Sequence, residues 1–307
     1  MRLIAAATDP RALACLEVFS RPPHRLLALI TAPDRPKGRG RAAEPSPLAL
    51  WAWERKIPLL QPEDINHPEI LAWITEKAAP RLEALAVIAY GQKLGPDLLA
   101  LPVHGCLNLH PSLLPKYRGA APIPRAILAG DTETGVCVIR MEDRMDAGPV
   151  LAMKKEPILP EDTAATLGER LFAAGAELFR GVLDSLPNEG RPQDDAKATR
   201  APMLRKEEGR IDWKLSAAEI ALKVRGLQPW PGAFSTLQHE GLRLSIRGGR
   251  AIKGSGEPGT LLPGPGMHVA CGKGVLDVTE VQAEGKRPMP AGDFLRGTRL
   301  VPGARFA

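Results

Sequence analysis

Residues 105–115 read Gly105-Cys-Leu-Asn-Leu-His-Pro-Ser-Leu-Leu-Pro115, an alternation of apolar and polar side chains that ends in prolines. On a strand successive side chains point to opposite faces, so Asn108 and His110 share one face while Leu107 and Leu109 share the other. Pro111 and Pro115 cannot continue a hydrogen-bonded ladder, which makes the residues after His110 an extended loop at the strand's C-terminal end. Open α/β sheets bind ligands at that end of their strands. The spacing therefore describes an amide and an imidazole projecting together from a buried strand. Each residue also has an ordinary reading: an Asn at a strand end satisfies a turn, and a His beside Pro serves structure as often as chemistry.

Working outward, short apolar runs at 3–7, 26–31, 84–89 and 135–141 read as buried strands. Helical stretches are expected at 11–19, 46–56, 70–77, 95–101, 124–128 and 163–183. Strands alternating with helices predict a mostly parallel sheet covered on both faces. The character changes after Leu186, where 187–205 is polar, broken by Pro and Gly, and without an apolar period. Beyond it come one helix at 217–225 and short strands at 233–238, 242–247, 259–262, 268–271 and 275–281, a pattern that suits a small β-barrel such as the OB-fold. The expected organisation is a catalytic domain over 1–188, a linker over 189–206 and a C-terminal domain over 207–307. Trp213 and Trp230 are expected in the barrel core, because a Trp buries so much area.

Composition narrows the classes. The chain has 307 residues and a formal charge of +6, and no apolar stretch approaches the ~20 residues of a membrane helix. A soluble cytoplasmic protein is expected. Cys15, Cys106, Cys137 and Cys271 are scattered, with no Cys-x-x-Cys pair and no His at zinc spacing, so neither disulfides nor a metal site is expected. A dinucleotide-binding glycine fingerprint after the first strand is missing. Charge is concentrated at 34–41, Asp34-Arg-Pro-Lys-Gly-Arg-Gly-Arg41, with four cations and one acid in eight residues. Such stretches are usually solvated surface, but a basic loop on a Pro/Gly backbone can also grip phosphates. Residues 207–307 hold 14 Lys or Arg against 10 Asp or Glu, too weak an excess to point anywhere alone.

Asn108-x-His110 with Ser112-Leu-Leu-Pro115, then Tyr117-Arg-Gly-Ala-Ala-Pro-Ile and Arg144-Met-Asp146-Ala-Gly148-Pro, resemble the folate-dependent formyltransferases. The likeness runs nearly the full length, through Pro33-Asp-Arg-Pro-Lys-Gly-Arg-Gly, Val87-Ile-Ala-Tyr-Gly, Lys206-Glu-Glu-Gly-Arg-Ile-Asp-Trp213, Pro229-Trp-Pro and Val301-Pro-Gly. It implies an α/β, Rossmann-like catalytic domain followed by a small OB-like β-barrel. It implies 10-formyltetrahydrofolate as the formyl donor, without a metal. The basic loop and the C-terminal domain select the branch that works on transfer RNA, with initiator methionyl-tRNA as acceptor and a monomeric enzyme. Asn108, His110 and Asp146 are then catalytic. Ile88, Tyr90, Gly91, Ser112, Leu113, Leu114 and Pro115 line the folate site, and Arg35, Lys37, Arg39, Arg41, Lys206 and Arg210 contact RNA.

Formyl transfer to an amine passes through a tetrahedral oxyanion, which Asn108 and a protonated His110 would meet with N–H groups while Asp146 manages the proton. The alternatives are a formyltransferase for a small amine, such as a nucleotide sugar or glycinamide ribonucleotide, and a non-catalytic RNA-binding relative. Two positions depart from the family pattern. Ala7-Thr8-Asp9-Pro10 replaces a Gly-Thr-Pro turn, and Met203 stands where a lysine is common.

Overall fold

The computed structural model describes residues 1–35, 44–238, 241–298 and 300–307. Its contacts divide the chain into two units. One comprises Met1–Gly119, Glu133–Pro157 and Gly168–Arg200, and the other Ala120–Thr132, Ile158–Leu167 and Ala201–Ala307.

In the first unit, strands β1 (Arg2–Ala7), β2 (Arg25–Ile30), β3 (Leu59–Leu60), β4 (Ala84–Ile88), β5 (Cys106–His110), β6 (Glu133–Arg140) and β7 (Val150–Pro157) form one sheet. Its order is β3-β2-β1-β4-β5-β6-β7. The pairs from β3 through β5 are parallel, and β5–β6 and β6–β7 are antiparallel. Every residue of β4 is buried, as expected of a strand covered on both faces. Helix α1 (Leu13–Phe19) covers one face, where Phe19 meets Phe179 edge to face, ring centroids 4.9 Å apart. Helices α2 (Pro47–Glu54), α3 (Pro68–Ala78) and α4 (Pro96–Ala100) follow in the chain, and Ile74 and Leu98 pack with Ile4, Leu85 and Cys106 on the other face. Each of these three helices opens with Pro near its N-terminus, where the missing N–H costs nothing.

The strand order reverses at β1, with β2 on one side and β4 on the other. A crevice therefore opens at the C-terminal ends of β1, β4 and β5, the position where such sheets bind ligands. Asp9, the departure after β1, acts locally, since its side chain accepts the Arg11 N–H and caps a 3-10 turn at Pro10–Ala12.

The second unit includes α5 (Pro122–Leu128), which packs through Leu128 near Leu204 and Leu227 at the end of α7 (Ala217–Gly226). Helix α6 (Ala164–Asp184) starts in the second unit and continues into the first, where Gly175 approaches Leu109 so closely that a Cβ would lie 2.8 Å from its Cδ2. An antiparallel sheet holds β8 (Ala233–Leu237), β9 (Leu242–Ile252), β10 (Met267–Ala270) and β11 (Val275–Ala283), in the order β10-β11-β9-β8, with β12 (Met289–Pro290) on β11. Helix α8 (Ala291–Thr298) packs Phe294 into the same core as Trp213, Ile220, Ile246 and Val278.

The curl of this sheet is continued by single bridges, Leu261 to Val269, Thr260 to Arg305 and Phe306 to Leu237, which carry the circuit from β10 back to β8. The run expected as a strand at 259–262 thus contributes bridges. At the β-bulge of β11 the partner is Gly248, where a Cβ would sit 2.4 Å from Thr279 Oγ1. Trp213 is buried, its Nε1 donating to the buried Ser235 Oγ at 2.9 Å. Trp230 is not in the core: it is 55% exposed, on a turn after α7 with Pro229 and Pro231 on either side. The α/β Rossmann-like sheet with helices on both faces and the C-terminal OB-like β-module are both present.

Candidate active site

Strand β5 delivers Asn108 and His110 to the crevice end of the sheet. The hairpin between β6 and β7 delivers Asp146. The His110 Nε2 lies 2.9 Å from the Tyr117 carbonyl oxygen, which can only accept, so Nε2 carries a hydrogen. Nδ1 is thereby turned toward Asp146, 3.6 Å from Oδ2. Asn108 Nδ2 donates to Asp146 Oδ1 over a long 3.5 Å, and the Gly119 N–H donates to Oδ2 at 2.8 Å. Amide, imidazole and carboxylate therefore converge with one N–H of Asn108 only weakly engaged. His110 is 4% exposed, so little of the ring meets water.

Two local conformations make this possible. Asp146 has φ +51°, and Tyr117 has φ +62°, left-handed backbone that non-glycine residues rarely adopt. Gly148 presses against the Arg140 carbonyl, where a Cβ would meet the oxygen at 1.9 Å. The hairpin that turns Asp146 inward needs this absence of a side chain. Cys137 lies opposite His110 in the β5–β6 register, and burial pushes its thiol up to about 12. A thiol so protonated is no nucleophile at neutral pH.

Ser112–Pro115 does not expose all its side chains. Ser112 is fully buried and donates to the Lys116 carbonyl at 2.7 Å, while Leu114 packs with Cys137 and Ile139. Leu113 and Pro115 stay partly exposed, so what this segment offers a ligand is those two side chains and its main chain. Ile88 is buried at the end of β4, and Gly91 is exposed. Tyr90 Oη is buried without a hydrogen-bond partner among the described residues, and burial together with Asp64 pushes the phenol up to about 12. An unpaired buried hydroxyl beside a crevice suits the polar edge of a flat heterocycle. Among the described residues no group of His, Cys, Asp and Glu could hold a metal ion.

Of the RNA candidates, Lys37, Arg39 and Arg41 lie outside the described residues. Arg35 is exposed, 3.4 Å from Glu63. In the second unit, Lys206 and Arg210 are both exposed, Lys206 at the start of the 3-10 turn Lys206–Gly209. Arg210 borders a cleft of about 480 Å³ with Lys214 and Arg305, whose guanidinium pairs with Glu257. Met203, the other departure, is exposed.

Residues that no motif marked also surround the site. Gln193 donates from Nε2 to the Asp146 and Gly148 carbonyls, at 2.8 and 2.7 Å. Thr199 Oγ1 accepts the Tyr117 N–H at 2.8 Å. Asp195 bridges Arg118 and Arg144, each at 2.8 Å, and the Arg144 and Arg118 guanidinium groups hold its carboxyl below the usual range. These contacts join residues tens of positions apart, so no local pattern could reveal them.

Residues 14–183 match the formyl transferase family, and 203–299 match the formyl transferase C-terminal domain. The methionyl-tRNA formyltransferase of Cereibacter sphaeroides is 44% identical over 306 residues, covering 99% of both chains. That of Thermus thermophilus is 43% identical over 309 residues, 100% of this chain and 99% of the other. Among solved structures, HypX from Aquifex aeolicus in complex with tetrahydrofolic acid shares the fold, with a TM-score of 0.62 at 16% identity, over 96% of this chain and 47% of that one. With two family domains in order and full-length relatives above 40% identity, the chain belongs to the formyl transferases, in the branch of the methionyl-tRNA formyltransferases.

Proposed function

We propose that this chain transfers the formyl group of 10-formyltetrahydrofolate to the amino group of initiator methionyl-tRNA, as a cytoplasmic, monomeric enzyme of translation initiation. The observation that carries the reading is the convergence of Asn108 Nδ2, His110 Nδ1 and the Asp146 carboxylate at the sheet's C-terminal end. Attack of the amine on the formyl carbon forms a C–N bond and pushes the carbonyl electrons onto oxygen. Asn108 and the His110 ring donate to that oxyanion, and preorganised donors of this kind are worth about 3–4 kcal/mol each. Asp146 takes the proton from the attacking nitrogen and returns it, through water, to the departing folate nitrogen. The C–N bond to folate then breaks as the carbonyl re-forms. No enzyme-bound acyl group is needed, in keeping with the protonated Cys137 thiol.

The donor is read as lying along Ile88, Tyr90 and Gly91 on one side and Ser112, Leu113, Leu114 and Pro115 on the other. Leu113 and Pro115 supply apolar contact, and the Tyr90 hydroxyl, without a partner among the described residues, meets a polar edge. That HypX was solved with tetrahydrofolic acid supports a folate on this fold. Arg35, Lys37, Arg39 and Arg41, with Lys206 and Arg210, are read as the RNA contacts, Arg39 at the opened end of the acceptor stem and the others on phosphates. The catalytic domain is assigned to 1–188, the linker to 189–206 and the RNA-holding domain to 207–307. Among the described residues no helix is long and apolar enough to cross a membrane.

The test is formyl transfer from 10-formyltetrahydrofolate to methionyl initiator tRNA beside methionyl elongator tRNA. Initiator RNA should be formylated and elongator RNA far less. Activity confined to free small amines would sink the reading.

A further inference from the structure

We infer that Gln193 is a positioning residue for the catalytic carboxylate, locking together the two loops that aim it; this rests on the formyl-transfer reading above. Gln193 lies in the polar stretch after α6, where no periodicity or motif draws attention to it. Its amide is fully used. Both Nε2 hydrogens go to carbonyls of the Asp146 hairpin, Asp146 O at 2.8 Å and Gly148 O at 2.7 Å. Oε1 accepts Nε and Nη2 of Arg118, at 3.1 and 2.8 Å. With four partners the amide cannot be reversed, because a flip would aim its oxygen at two carbonyl oxygens and its NH2 at a guanidinium.

The consequence follows from what these partners carry. The hairpin holds Asp146 at φ +51°, a conformation that persists only where the surroundings impose it. Arg118 stands between Tyr117, whose carbonyl accepts His110 Nε2–H, and Gly119, whose N–H donates to Asp146 Oδ2. One side chain thus ties the main chain on both sides of Ala147 to the loop that orients imidazole and carboxylate. Asp195 extends the tie, joining Arg118 to Arg144. The four hydrogen bonds of the Gln193 amide go to neither the carboxylate nor His110. It acts through geometry: without its two donors the hairpin drifts, and Asp146 no longer faces the reacting nitrogen.

Gln193→Glu separates this role from bulk. It preserves length and still accepts from Arg118, but sets an oxygen against the two carbonyls. Gln193→Met removes polarity at nearly constant volume and serves if the first variant does not fold. With methionyl initiator tRNA and 10-formyltetrahydrofolate, kcat should fall by about tenfold or more, since small misplacements of catalytic groups are costly. KM for both substrates should stay within about twofold, because neither binding surface is altered. Asp194→Ala, a neighbour whose carboxylate serves its own turn, accepting from Ala196 N at 3.1 Å and pairing with Lys197 at 3.1 Å, should retain wild-type kcat. Undiminished kcat in Gln193→Glu overturns the inference. So does a rise in KM that matches the fall in kcat, or an equal loss in Asp194→Ala, either of which makes the segment mere scaffolding. A wild-type chain that formylates no methionyl-tRNA would instead sink the functional reading and leave Gln193 without a reaction to serve.

Discussion

Among its described residues the first unit contains two buried histidines that face aspartates, and one of them stands in the candidate site. His110 is 4% exposed and His24 is 6% exposed. His110 Nδ1 is 3.6 Å from Asp146 and His24 Nε2 is 3.2 Å from Asp184, so distance alone would favour the wrong pair. The difference lies in commitment. His110 has one nitrogen fixed on the Tyr117 carbonyl, and its aspartate is oriented by the Gly119 N–H beside the Asn108 amide. Asp184 lies beside the ring of His24, but among the described residues neither ring nitrogen is fixed by a second partner as His110 Nε2 is. Asp184 is itself half exposed at the end of α6. A His–Asp contact becomes chemistry when a third group fixes tautomer and direction; otherwise it is a buried ring near a surface charge.

The comparison breaks most visibly in activity. Asn108→Ala, His110→Ala and Asp146→Ala should each lower kcat for formyl transfer by about 10²–10³-fold or more, while His24→Gln should leave it within about twofold. Comparable losses at His24 and His110 would erase the distinction drawn between the two pairs. The next effect tests whether the site depends on the hairpin that carries Asp146. Gly148→Ala puts a Cβ 1.9 Å from the Arg140 carbonyl oxygen, a main-chain atom that cannot swing aside. A displacement of about 1 Å at Asp146 should cost about 10²-fold in kcat, with a lowered melting temperature. An active, stable Gly148→Ala would mean that the hairpin does not set the carboxylate.

How much of this was legible differs from element to element. The crevice end of β5 was, because strand alternation places Asn108 and His110 on one face whatever the tertiary context. Asp146 was reached only through the resemblance, since an Asp in Asp-Ala-Gly otherwise reads as a turn. Strand β7 escaped because its sequence, Val-Leu-Ala-Met-Lys-Lys-Glu-Pro, belongs to a sheet edge: its middle is exposed, so no apolar pattern marks it. Helix α8 escaped for another reason, its two glycines hiding a short amphipathic stretch that packs through Phe294. In the barrel, the strand expected at 242–247 runs on through Gly248-Gly249 to Ile252, and Gly248 is needed where the β11 bulge approaches. Gln193 had no signal at all, because its meaning is four hydrogen bonds to residues 45 to 75 positions away.

The smallest effect concerns the histidine outside the site, and it separates the pair by stability instead of rate. Burial holds His24 below its ordinary 6.5, helped by the Met1 amine and Arg180 and opposed by Asp184. Between that lowered folded value and 6.5 the unfolded chain binds a proton that the folded chain does not, so folding is favoured more as pH rises. The contribution is therefore fully present above about pH 6.5 and is lost as pH falls through the folded value. His24→Gln removes the titrating ring. Its melting temperature should decline less than that of wild type on going from about pH 7.5 to about pH 5.5, each kcal/mol of the difference being worth about 2–4 °C in a domain of 150–250 residues. The slope is the measurement, because the substitution also changes packing at every pH. Parallel declines for wild type and His24→Gln would mean that burial does not hold this ring neutral, and that His24 and His110 differ less than their hydrogen bonds indicate.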